Sequence, residues 1–150
     1  MSKFTPTVSW HLQHGVEFDY DNYNRDHEWT FPGGEVVPAS ASPTYGGISS
    51  RVNPDEAVVA ALSSCHMLTF LAIAAKNRLK VLSYIDRAEG TVDKNEEGRM
   101  AITHVVLRPR VVFDGEVDYD QLTRLHEAAH RNCFVANSLN TPIDIEPATD

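Results

Sequence analysis

The stretch Asn53-Pro-Asp-Glu-Ala-Val-Val-Ala-Ala-Leu-Ser-Ser-Cys-His-Met-Leu-Thr-Phe-Leu-Ala-Ile-Ala-Ala-Lys-Asn77 decides how the rest of the chain must be arranged. Asn53 is a good helix N-cap, Pro54 suits the first helical position, and Glu56 stands three residues after the cap, as a capping box requires. No Pro or Gly interrupts the run from Pro54 to about Asn77. Its residues are apolar almost all round, including Ala57, Val58, Val59, Leu62, Leu68, Phe70, Leu71 and Ile73. A helix without a polar face must be buried on every side. In a chain of 150 residues, that implies a central helix wrapped by a sheet or one shared with a partner subunit.

Working outward, the first 40 residues alternate aromatic and polar side chains. Thr7-Val-Ser-Trp10, Phe18-Asp-Tyr20, His27-Glu-Trp-Thr-Phe31 and Glu35-Val-Val-Pro38 read as short strands, with Pro32-Gly-Gly34 as a hairpin turn. Residues 40–53, rich in Ser, Pro and Gly, read as a loop. Beyond the helix, Val81–Val92 and Arg99–Phe113 read as two long strands joined by the polar loop Lys94-Asn-Glu-Glu-Gly98. A second helix spans Asp118 to Asn132, with Asp118 as its N-cap, and Thr141-Pro-Ile-Asp-Ile-Glu-Pro147 holds a short closing strand. The order β-β-α-β-β-α-β mixes hairpins with helices, so the class is α+β. Without repeats, low-complexity segments or linkers, residues 1–150 read as a single domain.

A formal charge of −8 argues against a nucleic-acid partner, which wants a basic stripe. Met1-Ser-Lys-Phe-Thr-Pro-Thr-Val8 lacks the apolar core of an export signal. No stretch reads as the roughly 20 apolar residues of a membrane span. The expectation is a cytoplasmic protein with no membrane partner, whose thiols are kept reduced. The two cysteines, Cys65 and Cys133, then have four possible fates: structural disulfide, metal site, inert thiols or redox couple. The compartment weakens the first.

A reactive thiol needs a positive neighbour or hydrogen-bond donors to become a thiolate. Around Cys65 the local sequence offers Ser63, Ser64, His66 and Thr69, so an activating charge must come from elsewhere. Arg25, in the segment Tyr23-Asn-Arg-Asp-His27 just before a strand, is a candidate. A carboxylate at the start of the long helix could hold it. Asp55 precedes Cys65 by about 280° of helical rotation and lies within roughly 80° of it, whereas Glu56 lies about 180° away. Asp55 is therefore the better partner. A different chemistry is open on the second helix, where His126, His130 and Cys133 fall at i, i+4 and i+7 on one face. They are sensible zinc ligands, with Cys65 or His66 as a fourth. Each group also has an ordinary structural explanation: a cysteine among Ala and Leu fills space, and first-turn carboxylates suit the helix dipole.

The residues Asn53-Pro-Asp-Glu-Ala-Val-Val-Ala-Ala-Leu-Ser-Ser-Cys-His-Met67 and Ala128-Ala-His-Arg-Asn-Cys-Phe-Val-Ala-Asn-Ser138, with the strand pair between them and the earlier Arg25-Asp-His27, resemble the OsmC-like branch of the OsmC/Ohr family of peroxide-reducing thiol proteins. The Cys stands eleven residues after the Pro, and the second motif reads Ala-His-x-x-Cys. The likeness runs from about residue 20 onward. It implies antiparallel sheets wrapped around long central helices in an intertwined homodimer, which would supply the missing cover for the apolar helix. It implies that Cys65 attacks the peroxide and becomes a sulfenic acid, and that Cys133 resolves it as a disulfide. It also implies that an arginine, Arg25 or failing that Arg51, stabilises the thiolate. Asp55 takes the place of a family glutamate that orients the arginine. Asp55 is one methylene shorter than that glutamate, and Glu56 is the alternative.

The resulting expectation is a cysteine-based peroxidase that reduces organic hydroperoxides without a cofactor. Apolar Met67, Leu68 and Phe70 favour an alkyl-bearing substrate, and the resemblance implies a dithiol reductant such as a lipoylated protein. Two other readings stand beside it: a non-catalytic module binding zinc or a small ligand, and a thiol redox sensor.

Overall fold

The computed structural model describes residues 1–148. Thr149 and Asp150, the last two residues of the expected single domain, lie outside the described residues. The chain forms two compact units, Met1–Ala57 and the residues from Val58 onward, and the boundary falls inside the long helix.

The first unit is built on a three-stranded antiparallel sheet, β1 (Thr7–Ser9), β2 (His27–Thr30) and β3 (Val36–Ala39). The register sets Val8 against Trp29 and Trp29 against Val37. The β2–β3 turn is the expected one: Phe31 N–H donates to Glu35 O at 2.9 Å and Gly34 N–H to Phe31 O at 2.9 Å. Phe18-Asp-Tyr20 is a turn and not the expected strand. The Asp19 carboxylate accepts from the N–H groups of Asp21 and Asn22 at 3.0 Å each, a local bond that competes with strand pairing. Asn24 stitches the rest of the segment, accepting from Gln13 N–H at 2.8 Å and donating to His11 O at 3.0 Å.

α1 (Pro54–Lys76) starts as its sequence dictates. Asn53 Oδ1 accepts from Glu56 N–H at 3.0 Å, and Glu56 Oε2 accepts from Asn53 N–H at 3.3 Å, closing the capping box. Within one chain its burial is partial. Only Leu62, His66, Phe70 and Ala74 are buried, a single stripe at i+4 spacing, while Ala61, Ser64, Leu68, Ala72 and Ala75 are exposed. By length and composition alone α1 also meets the requirement for crossing a membrane, contrary to the expectation of no such stretch. The buried core helix of a soluble protein passes the same test.

The second unit corrects the two long strands into four. β4 (Val81–Asp86) pairs with β7 (Pro109–Phe113), and β5 (Glu89–Lys94) pairs with β6 (Met100–Leu107), both antiparallel. Each long run is broken near its middle, and Asp86 is the residue at the break. Its carboxylate accepts from Arg108 N–H at 2.6 Å and from the Ser63 hydroxyl at 2.5 Å. This bond takes the backbone donor that a continuing ladder would need, and Pro109 follows directly. The expected Lys94–Gly98 loop closes the β5–β6 hairpin, with Asn95 N–H donating to Arg99 O at 2.8 Å.

β8 (Ile143–Ile145), the expected closing strand, runs parallel to β6, whose Val105, Val106 and Leu107 are all buried. α2 (Tyr119–Asn132) is capped by Asp118, whose Oδ1 accepts from Gln121 N–H at 2.8 Å, and a short α3 (Phe134–Ser138) follows. A Cβ on Gly90 would stand 2.4 Å from Val59 Cγ2, so only glycine lets β5 pass this close to α1. Two apolar clusters result. One joins Leu62, Val105, Leu107 and Cys133, the other Phe70, Ala74, Leu125 and Ala129. The fold is mixed α and β, with several small sheets and a long helix, as the α+β expectation had it.

Candidate active site

Cys65 lies in the middle of α1 and is partly buried; Cys133 is 0 % exposed. The chain brings them together through the way α2 ends. Cys133 has extended backbone angles, φ −75° and ψ 115°, so it caps α2 and at the same time starts α3. The first turn of any helix leaves N–H groups without intrahelical partners. Here they serve two sulfurs. The Ala136 N–H donates to Cys133 Sγ at 3.4 Å, and the N–H groups of Val135 and Phe134 favour the thiolate of Cys65. The Cys133 thiol is also hydrogen-bonded to Cys65, and both are free thiols.

The electrostatics of the pair are unequal. Burial pushes the Cys65 thiol up, but it is outweighed chiefly by the Val135 N–H, the Cys133 S–H and the Phe134 N–H, which hold Cys65 below the ordinary thiol value. The Thr69 hydroxyl donates to the Cys65 carbonyl at 2.8 Å. Burial pushes Cys133 up, and its hydrogen bond to Cys65 and the charge forming there add to the rise, against the opposing Ala136 N–H. The two titrate as a unit, with the negative charge favoured on Cys65 and the proton on Cys133. Such an arrangement can offer one nucleophilic thiolate with a protonated thiol in contact. Its walls are apolar, since Cys65 packs on the cluster of Leu62, Val105 and Leu107.

The other expected site residues lie as follows. Arg25 is in the first unit, its Nη1 and Nη2 donating to the carbonyls of Tyr23 and Tyr20 at 2.5 Å each, with its guanidinium 3.8 Å from the Tyr23 ring centroid. It shares an aromatic cleft of that unit with Asp55, Trp10, Phe18 and Tyr45, but the two form no ion pair among the described residues. The expected Arg25–Asp55 pair is therefore not formed, because backbone carbonyls and a ring face already hold the guanidinium. Arg51 pairs with Asp26 at 3.7 Å and donates to His27 O at 3.3 Å. Glu56 is engaged in the capping box.

The zinc set does not assemble: among the described residues no group of three His, Cys, Asp or Glu side chains could hold a metal ion. His126 turns instead to His66, Nε2 of His66 lying 2.9 Å from Nδ1 of His126, while Cys133 belongs to the cluster around Leu62. Burial pushes both imidazoles down, His66 to about 4 and His126 to about 3. Both are thus neutral at pH 7. The backbone donors at Phe134 and Val135 were missed from the sequence. Their signal, a helix restarting at the cysteine, is carried by backbone angles and not by residue type.

A family model described as OsmC-like protein matches residues 47–148. An OsmC-like protein of unknown function from Vibrio cholerae has a similar structure, with a TM-score of 0.95 and 45 % identity over 99 % of this chain and 100 % of its own. An organic hydroperoxide resistance protein from Elizabethkingia anophelis shares the fold at a TM-score of 0.77 and 16 % identity, covering 100 % of this chain and 98 % of its own. An uncharacterised protein from Methanocaldococcus jannaschii is 30 % identical over 103 residues, 66 % of this chain, and the match spans only 50 % of that relative's length.

Proposed function

This chain belongs to the OsmC-like family, and from that membership and its paired thiols we propose that it is a cysteine-based peroxidase for organic hydroperoxides. The observation that carries the reading is the contact of a low-pKa, partly exposed Cys65 with a buried, protonated Cys133. A thiol held toward its thiolate form beside a protonated partner has the setting of a reactive cysteine.

The Cys65 thiolate attacks the terminal oxygen of ROOH, the O–O bond breaks, and the alkoxide leaves as ROH once protonated. Cys65 is left as a sulfenic acid. The Cys133 sulfur then attacks the Cys65 sulfur, the S–O bond breaks, water leaves and the disulfide forms. A dithiol of the lipoyl type restores both thiols and is itself oxidised to a disulfide. The apolar wall of Leu62, Val105 and Leu107 supports an alkyl-bearing substrate over hydrogen peroxide. From the resemblance, Arg25 has the activating role and Asp55 the orienting one, a pairing that Arg25 would enter only by leaving the carbonyls of Tyr20 and Tyr23. The proposal places the protein in the cytoplasm, where a dithiol pool keeps it reduced. It also makes the protein a homodimer, a reading supported by the exposed apolar face of α1.

The test is consumption of cumene hydroperoxide with dihydrolipoamide as reductant. Wild type is expected to turn over, Cys65→Ser to be inactive, and Cys133→Ser to stall and over-oxidise at Cys65. An unchanged peroxide level with wild type, or activity surviving in Cys65→Ser, overturns the reading.

A further inference from the structure

The buried stripe of α1 runs Leu62, His66, Phe70, Ala74. Leu62 belongs to the cluster that holds Cys133, and Phe70 and Ala74 to the one that holds Leu125 and Ala129 of α2. Between them stands a polar residue, His66, 1 % exposed, facing a second one, His126 of α2, 2 % exposed. The rings lie within 5° of parallel with centroids 5.2 Å apart, and His126 also packs on Phe70 at 4.4 Å. Nε2 of His66 and Nδ1 of His126 share one hydrogen bond of 2.9 Å. The outer nitrogens, Nδ1 of His66 and Nε2 of His126, are buried and have no partner. Whichever ring donates, one outer nitrogen is an N–H without an acceptor and the other a lone pair without a donor.

On stability alone the arrangement is a poor choice. Apolar side chains of similar size would fill the same stripe without unpaired buried groups. What a buried polar contact supplies in exchange is register, because sliding one helix along the other breaks it at once, whereas apolar contacts simply reform. Among the described side-chain hydrogen bonds, this is the one that joins a residue of Pro54–Lys76 to a residue of Tyr119–Asn132. These two helices carry the thiols: Cys65 immediately precedes His66, and Cys133 ends α2 one heptad after His126. No metal explains the pair, since no third His, Cys, Asp or Glu completes a site among the described residues.

We propose that His66 and His126 are positioning residues, a clamp that sets the register of α1 against α2 and so the approach of the Cys65 and Cys133 sulfurs for disulfide closure. The clamp serves the resolving step of the proposed peroxidase cycle, and to that extent rests on that reading.

Closure can be measured without peroxide by adding the azo-dicarboxamide diamide to the reduced full-length protein. The two thiols give up two protons and two electrons to the N=N bond, which becomes the hydrazine, and the sulfur–sulfur bond forms. Free-thiol loss gives the rate, and a urea transition of each variant gives its stability. In His66→Leu/His126→Leu closure is expected to slow by at least about tenfold, as displacement of reacting groups by about 1 Å does, while the urea midpoint stays or rises. Glutamine at 66 places its amide nitrogen where Nε2 stood, and asparagine at 126 places its carbonyl oxygen where Nδ1 stood, so the one N–H···acceptor bond is remade. His66→Gln/His126→Asn is therefore expected to restore the rate, and His66→Asn/His126→Gln is not. Should the leucine pair fail to fold, the two amide pairs decide alone. Wild-type closure in the leucine pair, or equal rates in the two amide pairs, overturns the clamp. A cumene hydroperoxide arm separates the two ideas: no peroxide consumption by a wild type that closes with diamide defeats the peroxidase reading, and the clamp is still judged by its variants.

Discussion

At the scale of single residues, the site works by dividing one proton between two sulfurs. Cys65 is held below the ordinary thiol value because the donors around it outweigh its burial, and Cys133 supplies one of them. The sign of the pH dependence follows. As pH rises, Cys65 gains its charge earlier than a free cysteine, so its alkylation by iodoacetamide is expected to rise through an inflection below that of an unperturbed thiol. Cys133→Ala removes the S–H donor and should move the inflection up. Cys133→Ser restores an O–H donor and should bring it back down. An inflection at the ordinary thiol value in wild type, or none of this movement in Cys133→Ala, refutes the division of roles. Both cysteines were legible as chemistry in the sequence, and the resemblance implied their pairing. The donors that set their inequality were not legible, because Phe134 and Val135 contribute only backbone N–H groups. The turn of His126 to His66 was equally hidden, since two histidines on different helices carry no common spacing.

At the scale of elements, the long helix shows where local rules suffice. Its start was readable to the residue, Asn53 and Glu56 satisfying each other as a capping box. Its end has no such marker. Arg78 N–H donates to Ala75 O and Leu79 N–H to Ala74 O at 3.0 Å each, the bonds of a Schellman motif. That motif puts Arg78 at φ 59°, where a side chain costs about 1 kcal/mol relative to glycine. Arg78→Gly is therefore expected to raise stability by roughly 0.5–1 kcal/mol, and Arg78→Val to lower it, in urea unfolding. A glycine variant less stable than wild type overturns the assignment. The strands show where local rules stop. Alternating apolar patterns ran through Arg87-Ala88 and Arg108 without interruption, and nothing nearby announces that Asp86 will take a backbone donor from residue 108. The break is tertiary, set by residues more than twenty positions apart.

At the scale of the whole molecule, the open question is what covers α1. Composition made the helix apolar all round, and of the two covers it implied, a wrapping sheet or a partner subunit, one chain supplies only part. One stripe is covered by the second unit's own strands and helices. Ala61, Ser64, Leu68, Ala72 and Ala75 form a second stripe that is exposed, with Leu68 at 60 %. A single exposed leucine is ordinary, but a row of small residues around one on a helix that also carries the reactive thiol offers a close-packing face. The proposed second copy of the chain would cover this face, because a two-fold interface needs only one self-complementary patch. Light scattering after gel filtration is expected to give twice the chain mass for wild type. Leu68→Asp places a charge at the centre of the patch, where burying it unpaired costs several kcal/mol, and should give the single-chain mass. The same composition would suit a bilayer, so the sample is also mixed with anionic and zwitterionic vesicles. A wild-type monomer at all concentrations, a Leu68→Asp variant that stays dimeric, or wild type that partitions into vesicles each overturns the dimer.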